Sequence, residues 1–254
     1  MAKTRPKKRS SESKDVSNAS VRLNKVIADA GVASRRAADQ LIRDGKVTVN
    51  KKVCTELGTR VSIDDVVAVN GEAVTRTKHH TYILLNKPKD IITTSHDEKG
   101  RKTIFDIVKV KQRLFSVGRL DRNTTGVLLI TNDGELANRL MHPRYRISRV
   151  YRAKLDRPLQ PQHAKQIVRG IELEDGPTQP CELMIDPEDG TTVVLEIFEG
   201  RNREVRRIFE HFGYEVKRLD RRQYATLSTR GLARGEYRHL TRPEVQELRN
   251  LVKL

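Results

Sequence analysis

The sequence predicts an α+β fold in two unequal parts. Three observations lead there. Residues 21 to about 76 read helix, helix, strand, strand. From Tyr82 onward, short apolar strands alternate with helical stretches set between hairpins, the pattern of a mainly antiparallel mixed sheet flanked by helices. A length of 254 residues suits one large domain or two unequal ones.

The elements follow in order. Residues 1–20 carry six Lys/Arg against two Asp/Glu and almost nothing apolar, so a disordered basic arm is expected. A first domain is expected over 21–80. Leu23, Val26, Ile27 and Ala30 recur at helical spacing up to Gly31. Ser34 suits the N-cap of a second helix that carries Ala37, Ala38, Leu41 and Ile42 and closes at Gly45. Strands are expected at Val47–Asn50 and Val66–Val69, with a tight turn at Asn70-Gly71. The boundary falls near Thr77 to Thr81, and a second domain is expected over 81–254. Its expected strands are Tyr82–Leu85, Phe115–Val117, Val127–Thr131, Val150–Leu155, Thr192–Phe198, Val216–Leu219 and Ala225–Leu227. Two or three helices are expected, at Gly134–Met141, Pro161–Gly170 and Arg203–Phe212.

Composition narrows the function. No apolar run approaches the ~18 residues that span a bilayer, and the N-terminus lacks the apolar centre of a signal peptide. A soluble, cytoplasmic protein with no membrane partner is expected. Cys54 and Cys181 are far apart, without metal-ligand spacing, and read as idle thiols. HExxH, GxxxxGK[ST] and GxGxxG are absent, so no metal and no nucleotide cofactor is expected. A net charge of +17 points to a polyanion. Residues 201–242 alone carry twelve basic against five acidic residues. Aromatics make up only 4% and Trp is absent, which argues against a stacking platform for single strands. A structured RNA read through backbone and shape fits better.

One stretch stands out, GRLDRNTTGVLLITNDG at 118–134. It places Asp121 in a turn at the mouth of an apolar strand, where an enzyme keeps a nucleophile or a general base. Two other segments have the chemistry to meet it. The alternating strand Arg149–Leu155 puts Tyr151 and Ala153 on one side. In EGRNREVRRIF, residues 199–209, Val205, Ile208 and Phe209 form an apolar helical face with Arg206 and Arg207 beside it. A half-buried Arg206 needs a carboxylate. Taken singly, Asp121 reads as an Asx-turn residue, Tyr151 as a sheet aromatic and Arg206 as a surface phosphate contact. Asp133 is the nearest second carboxylate for a glycosidase-like pair, but Asn132-Asp133-Gly134 reads as a turn.

Together the segments match known families. RLNKVIADAGVASRRAADQLIRDGKVTVN resembles the S4-type RNA-binding domain. Residues 82–242 resemble the pseudouridine synthases, specifically the RsuA-like branch that modifies ribosomal RNA. The match includes Asn86-Lys87-Pro88, the Gly-Arg-Leu-Asp turn with its Thr-x-Gly, the Tyr151 strand, the Val-Arg-Arg helix and Gly235–Thr241. The resemblance implies isomerisation of uridine through an aspartate nucleophile and a flipped-out base, without cofactor. Asp121 is then the nucleophile, attacking the ribose anomeric carbon or carbon 6 of the uracil. Tyr151 lies against the base, and Arg206 pairs with the aspartate. Arg119 fills the gap left by the flipped base.

Further RNA contacts are expected from Ser34, Arg35 and Arg36 at a helix start, and from Lys25, Arg201, Arg203 and Arg207. The expected partner is ribosomal RNA or a ribosome assembly intermediate, bound by a monomer. EGRNREVRRI, ANRLMHP and GIELEDGP look closer to the large-subunit (23S) members. The alternatives are a 16S enzyme and a non-catalytic rRNA-binding assembly factor. Two positions depart from the family pattern, Asp90 and Ala225, each standing where glycine is common. Asp tolerates a left-handed turn, so local adjustment is expected at Asp90.

Overall fold

The computed structural model describes residues 20–75, 79–95 and 97–254. The basic arm expected over 1–20 lies, Ser20 apart, outside the described residues. The rest falls into two compact units on either side of residues 76–78.

The first unit runs β1 (Val21–Arg22), α1 (Leu23–Asp29), α2 (Arg35–Arg43), β2 (Val47–Val49), β3 (Lys52–Val53), β4 (Arg60–Val61), β5 (Val67–Val69) and β6 (Glu72–Ala73). Ser34 caps α2 by accepting the Ala37 N–H at 3.1 Å. The apolar faces of both helices close over the sheet, with Leu23, Ile27, Ala38, Ile42 and Val47 fully or almost fully buried. The expectation of two strands needs correction: β2 and β5 are flanked by β3 and β6 in a four-stranded antiparallel sheet, and β1 pairs with β4. Those added strands are two residues long and mostly exposed, too short to leave an alternating pattern. Asn70 and Gly71 have φ of 50° and 84°, as a type I′ hairpin requires.

The second unit runs β7 (Tyr82–Lys87), α3 (Ile104–Ile107), β8 (Phe115–Ser116), β9 (Thr124–Thr131), α4 (Gly134–Met141), β10 (Arg149–Leu155), α5 (Pro161–Arg169), β11 (Glu172–Leu173), β12 (Gly176–Pro177), β13 (Glu182–Ile185), β14 (Thr192–Ile197), α6 (Glu204–His211), β15 (Val216–Tyr224), β16 (Leu227–Ser228), β17 (Tyr237–His239) and α7 (Arg242–Leu251). The nine-stranded sheet is ordered β13-β14-β10-β15-β9-β7-β17, with β8 on β9 and β16 on β15. Among the described strands of this sheet, β9 and β15 alone pair in parallel.

Alternation splits the core in two. Ile83, Leu85, Leu128 and Ile130 join α5 and α6 on one face. Leu84, Val127 and Leu129 join α4 and α7 on the other. The sheet centre, buried on both sides, therefore reads as an unbroken apolar run. Five α-helices are described, not two or three. The last, α7, carries a legible signal: Thr241 and Glu244 form a capping box with Pro243 in the first turn. Ala225 is not in a strand. It sits in the β15–β16 turn at φ 53°, and Asp90 takes φ 64°. Both occupy the left-handed backbone that glycine fills without cost.

Candidate active site

Four elements, β9, β10, β15 and α6, meet at one small pocket, lined among others by Arg119, Asp121, Thr124, Tyr151, Arg203, Glu204 and Leu219. Asp121 precedes β9, Tyr151 points from β10 and Leu219 from β15. These strands are neighbours through the parallel β9–β15 pair and the antiparallel β10–β15 pair. Helix α6 carries Arg206, which pairs with Asp121.

The Asp121 turn is clamped. The Thr124 N–H donates to the Asp121 carbonyl at 3.0 Å. Lys87 is fully buried at the end of β7, and its Nζ donates to the carbonyls of Pro88, Asp121, Arg122 and Thr124 at 3.0–3.2 Å. A buried ammonium survives only when its protons are all taken, and this loop supplies the acceptors. Burial pulls Lys87 down to about 8, against the pull of the Asp121 and Asp90 carboxylates. It therefore remains mostly cationic at neutral pH, under the loop that presents Asp121. Thr93 holds the preceding residue twice, donating to the Leu120 carbonyl at 2.7 Å and accepting its N–H at 3.3 Å. Neither Lys87 nor Thr93 was named among the expected site residues. The signal for Lys87 was a lysine closing an apolar strand within Asn86-Lys87-Pro88.

The carboxylate itself is free for chemistry. Among the described residues it accepts no hydrogen bond, so it is not an Asx-turn anchor. Its Oδ2 lies 3.9 Å from Arg206 Nε, an ion pair without a hydrogen bond, with 11% of the Arg206 side chain and 38% of the Asp121 side chain exposed. Arg206 Nη1 is fixed on the Val216 carbonyl at 2.8 Å, while its buried Nε has no hydrogen-bond partner. Burial, then the neighbouring Arg203, lowers the Arg206 pKa. Tyr151 is buried and makes no hydrogen bond among the described residues.

The other expected contacts separate. Arg119 and Arg203 are exposed at the pocket rim, Arg203 pairing with Glu210 at 3.2 Å. Arg201 and Arg207 are spent inside the protein: Arg201 binds Glu199 at 2.9 Å, and Arg207 forks onto Asp175 at 2.8 and 2.9 Å. Both fasten the start of α6 and the residues before it to the β11–β12 turn, and they present little free charge. In the first unit Lys25 is tied to Asp29 at 2.6 Å, whereas Arg35 and Arg36 are exposed and have no partner among the described residues, beside the Ser34 cap. Asp133 is a buried cap for α4, accepting the Leu136 N–H at 3.0 Å and the Tyr82 hydroxyl at 2.8 Å. Cys181 is buried, its thiol pushed up to about 11 by desolvation, which makes it unreactive. Among the described residues no cluster suited to a metal ion occurs, and no helix is long and apolar enough to cross a membrane.

Glu204 is a pocket residue with no sequence signal. It is 3% exposed, its Oε2 accepts the Arg201 N–H at 3.0 Å, and its Oε1 has no partner. Burial and the adjacent Glu199 push it up to about 8. Unfolding returns it to the ordinary value of 4.5, so the folded state holds the extra proton between those values. The associated stability is complete below pH 4.5 and is lost as pH rises through about 8. Glu204→Gln should abolish this loss, so the midpoint of thermal unfolding falls less in the variant than in the parent across that window. Identical pH profiles would show that Glu204 is ionised in the fold.

Comparison with known proteins gives the following. Residues 81–211 match the family model described as RNA pseudouridylate synthase, and residues 21–67 match the S4 domain. The chain is 49% identical to the ribosomal large subunit pseudouridine synthase B of Bacillus subtilis, covering 91% of this chain and 96% of that one. It is 42% identical to a protein of that name in Vibrio cholerae, with 92% and 76% covered. It is also 42% identical to an uncharacterized RNA pseudouridine synthase of Aquifex aeolicus, with 92% and 96% covered. A crystal structure of a pseudouridylate synthase superposes with a TM-score of 0.67 at 31% identity, covering 90% of this chain and 99% of the other.

Proposed function

The chain belongs to the RNA pseudouridylate synthase family, and from that premise we propose that it converts a uridine of large-subunit (23S) ribosomal RNA to pseudouridine at the Asp121 pocket. The reaction breaks the bond between the anomeric carbon and nitrogen 1, turns the base, and joins carbon 5 to the sugar. Carbon 5 gives up a proton and nitrogen 1 gains one, so substrate and product have the same atoms and no redox partner is needed. Asp121 is the nucleophile, Tyr151 lies against the base and Arg206 faces the carboxylate. Flipping the base out of its stack costs a few kcal/mol, which phosphate contacts of Arg35, Arg36, Arg119 and Arg203 offset.

The observation that carries this reading is the convergence of a carboxylate free of hydrogen bonds, a buried tyrosine and a half-buried arginine from three separate elements. An rRNA-binding factor without activity has no use for that arrangement. The large-subunit assignment rests on the names of the Bacillus subtilis and Vibrio cholerae relatives. The protein works in the cytoplasm, where ribosomes are assembled, as a monomer on rRNA or on an assembly intermediate. The test uses rRNA from cells lacking the protein, incubated with it and mapped by carbodiimide-dependent reverse-transcription stops. One new stop on 23S rRNA is expected. A stop on 16S rRNA alone would move the substrate to the small subunit, and no new stop would overturn the enzyme reading.

A further inference from the structure

The catalytic unit has a second concave surface, on the other side of its sheet. Along three adjacent strands the side chains alternate. Thr124, Tyr151 and Leu219 face the Asp121 pocket, so Thr125, Arg152, Asp220 and their same-face neighbours point the opposite way. There they line a groove of about 910 Å³. Helices α4 and α7 cover this face over β7 and β9 and reach the end of β15, where the Tyr224 hydroxyl donates to the Leu140 carbonyl at 3.1 Å, and they leave Arg152, Arg218 and Arg222 exposed.

The groove is electropositive in a specific way. Its three carboxylates are already neutralised: Asp189 by Lys154, Asp220 by Arg234 at 2.6 Å and Arg222 at 3.3 Å, and Asp156 by Arg157 at 2.8 Å. Lys89, Arg152 and Arg218 line the same groove and have no ion-pair or hydrogen-bond partner among the described residues. Unpaired cations on a concave, polar, exposed face attract a linear polyanion and not a small apolar ligand. At one end the groove reaches Asn123, two residues after Asp121, and Lys89, whose neighbour Asp90 donates its N–H to the Arg122 carbonyl at 2.9 Å. A strand leaving the catalytic pocket therefore has a charged path around that end.

We propose that this groove binds the phosphate backbone of a second segment of the RNA whose uridine enters the Asp121 pocket. The inference rests on the RNA-modifying reading of that pocket, but its test separates the two. The double variant Arg152→Gln, Arg218→Gln removes two exposed charges and touches neither the pocket nor the core. Two RNAs are compared, a full-length 23S transcript and a short uridine-containing oligonucleotide that fills the pocket alone.

On the long RNA, the variant should bind roughly tenfold more weakly, and the slope of log K against log salt should shrink by about 1.4, two contacts at ~0.7 each. KM for the transcript should rise with kcat unchanged. On the short RNA nothing should change. Unaltered binding and salt slope on the transcript would overturn the proposal. An equal loss on both RNAs would also overturn it, by placing the arginines at the pocket. Absence of pseudouridine with the parent protein would count against the catalytic reading instead, while the salt titration would still decide on the groove. Coincident thermal unfolding of parent and variant establishes that the fold is intact.

Discussion

Asp121→Asn should abolish pseudouridine formation, by at least about a thousandfold, while RNA binding is kept. Removing an enzyme's nucleophile costs up to ~10⁶ in kcat even when the rest of the site is intact. The amide has the shape of the carboxylate, which accepts no hydrogen bond among the described residues and contributes to the fold only as a counter-charge. What holds the turn is main chain: the Asp121 carbonyl is bound by Lys87 and the Thr124 N–H, and neither contact involves the side chain. The structural effect should therefore be small. Two nearby cations, Arg206 and Lys87, lose a counter-charge, and RNA phosphates lose a like charge, so affinity should stay level or rise slightly. The check is single-turnover conversion together with a binding titration, with mass spectrometry to show that the asparagine has not deamidated. Turnover by verified Asn protein within tenfold of the parent would remove Asp121 from the chemistry.

The sequence makes the pocket legible to the extent that its chemistry is concentrated in motifs. Asp121, Tyr151 and Arg206 each sit in a segment whose local pattern fixes which way the side chain points: a turn before an apolar strand, an alternating strand and an amphipathic helix. The supports are harder to see. Thr93 lies in an irregular stretch and acts through the backbone of Leu120, and such contacts leave no periodicity. Glu204 reads as an ordinary acidic residue in the first turn of a helix, and only its burial beside Glu199, which pushes its pKa up, sets it apart. Arg201 and Arg207 show the converse. Their charge suggests phosphate contacts, yet Glu199 and Asp175, distant in sequence from Arg207 in the latter case, consume it. The two-residue strands β1, β3, β4, β6, β11 and β12 and the four-residue α3 escaped because they are too short to carry a pattern of their own.

Gly126→Ala should be the most damaging single-methyl change in the sheet, and the reason lies where β9 meets β15. The register pairs Thr124 with Leu219, Thr125 with Asp220 and Gly126 with Arg221. At Gly126, φ is 108°, and a Cβ would stand 2.1 Å from the Arg221 carbonyl oxygen and 2.8 Å from its carbonyl carbon and amide nitrogen. Those atoms are main chain, so no side chain can swing aside. Arg221 is further pinned by its Nε on the Val127 carbonyl at 2.9 Å. Overpacking of about 1–3 kcal/mol or more adds to backbone strain of about 1–3 kcal/mol. A loss of roughly 4 kcal/mol then lowers the unfolding midpoint by ~10 °C in a domain this size. Gly118→Ala is the control. Its φ of 71° also disfavours a side chain, but nothing lies within 4 Å of the added Cβ, so it should lose only about 1–2 kcal/mol. The damage at Gly126 should also reach the chemistry. On its other edge β15 pairs Arg221 with Tyr151, so displacing that residue separates the Asp121 turn from the tyrosine. Turnover measured well below the lowered midpoint should fall at least tenfold for Gly126→Ala, since an ångström of misplacement costs about 10²-fold, and barely for Gly118→Ala. Equal stability and equal activity in the two variants would show that β9 and β15 can part at this point without consequence, and that the parallel pair does not set the distance across the pocket.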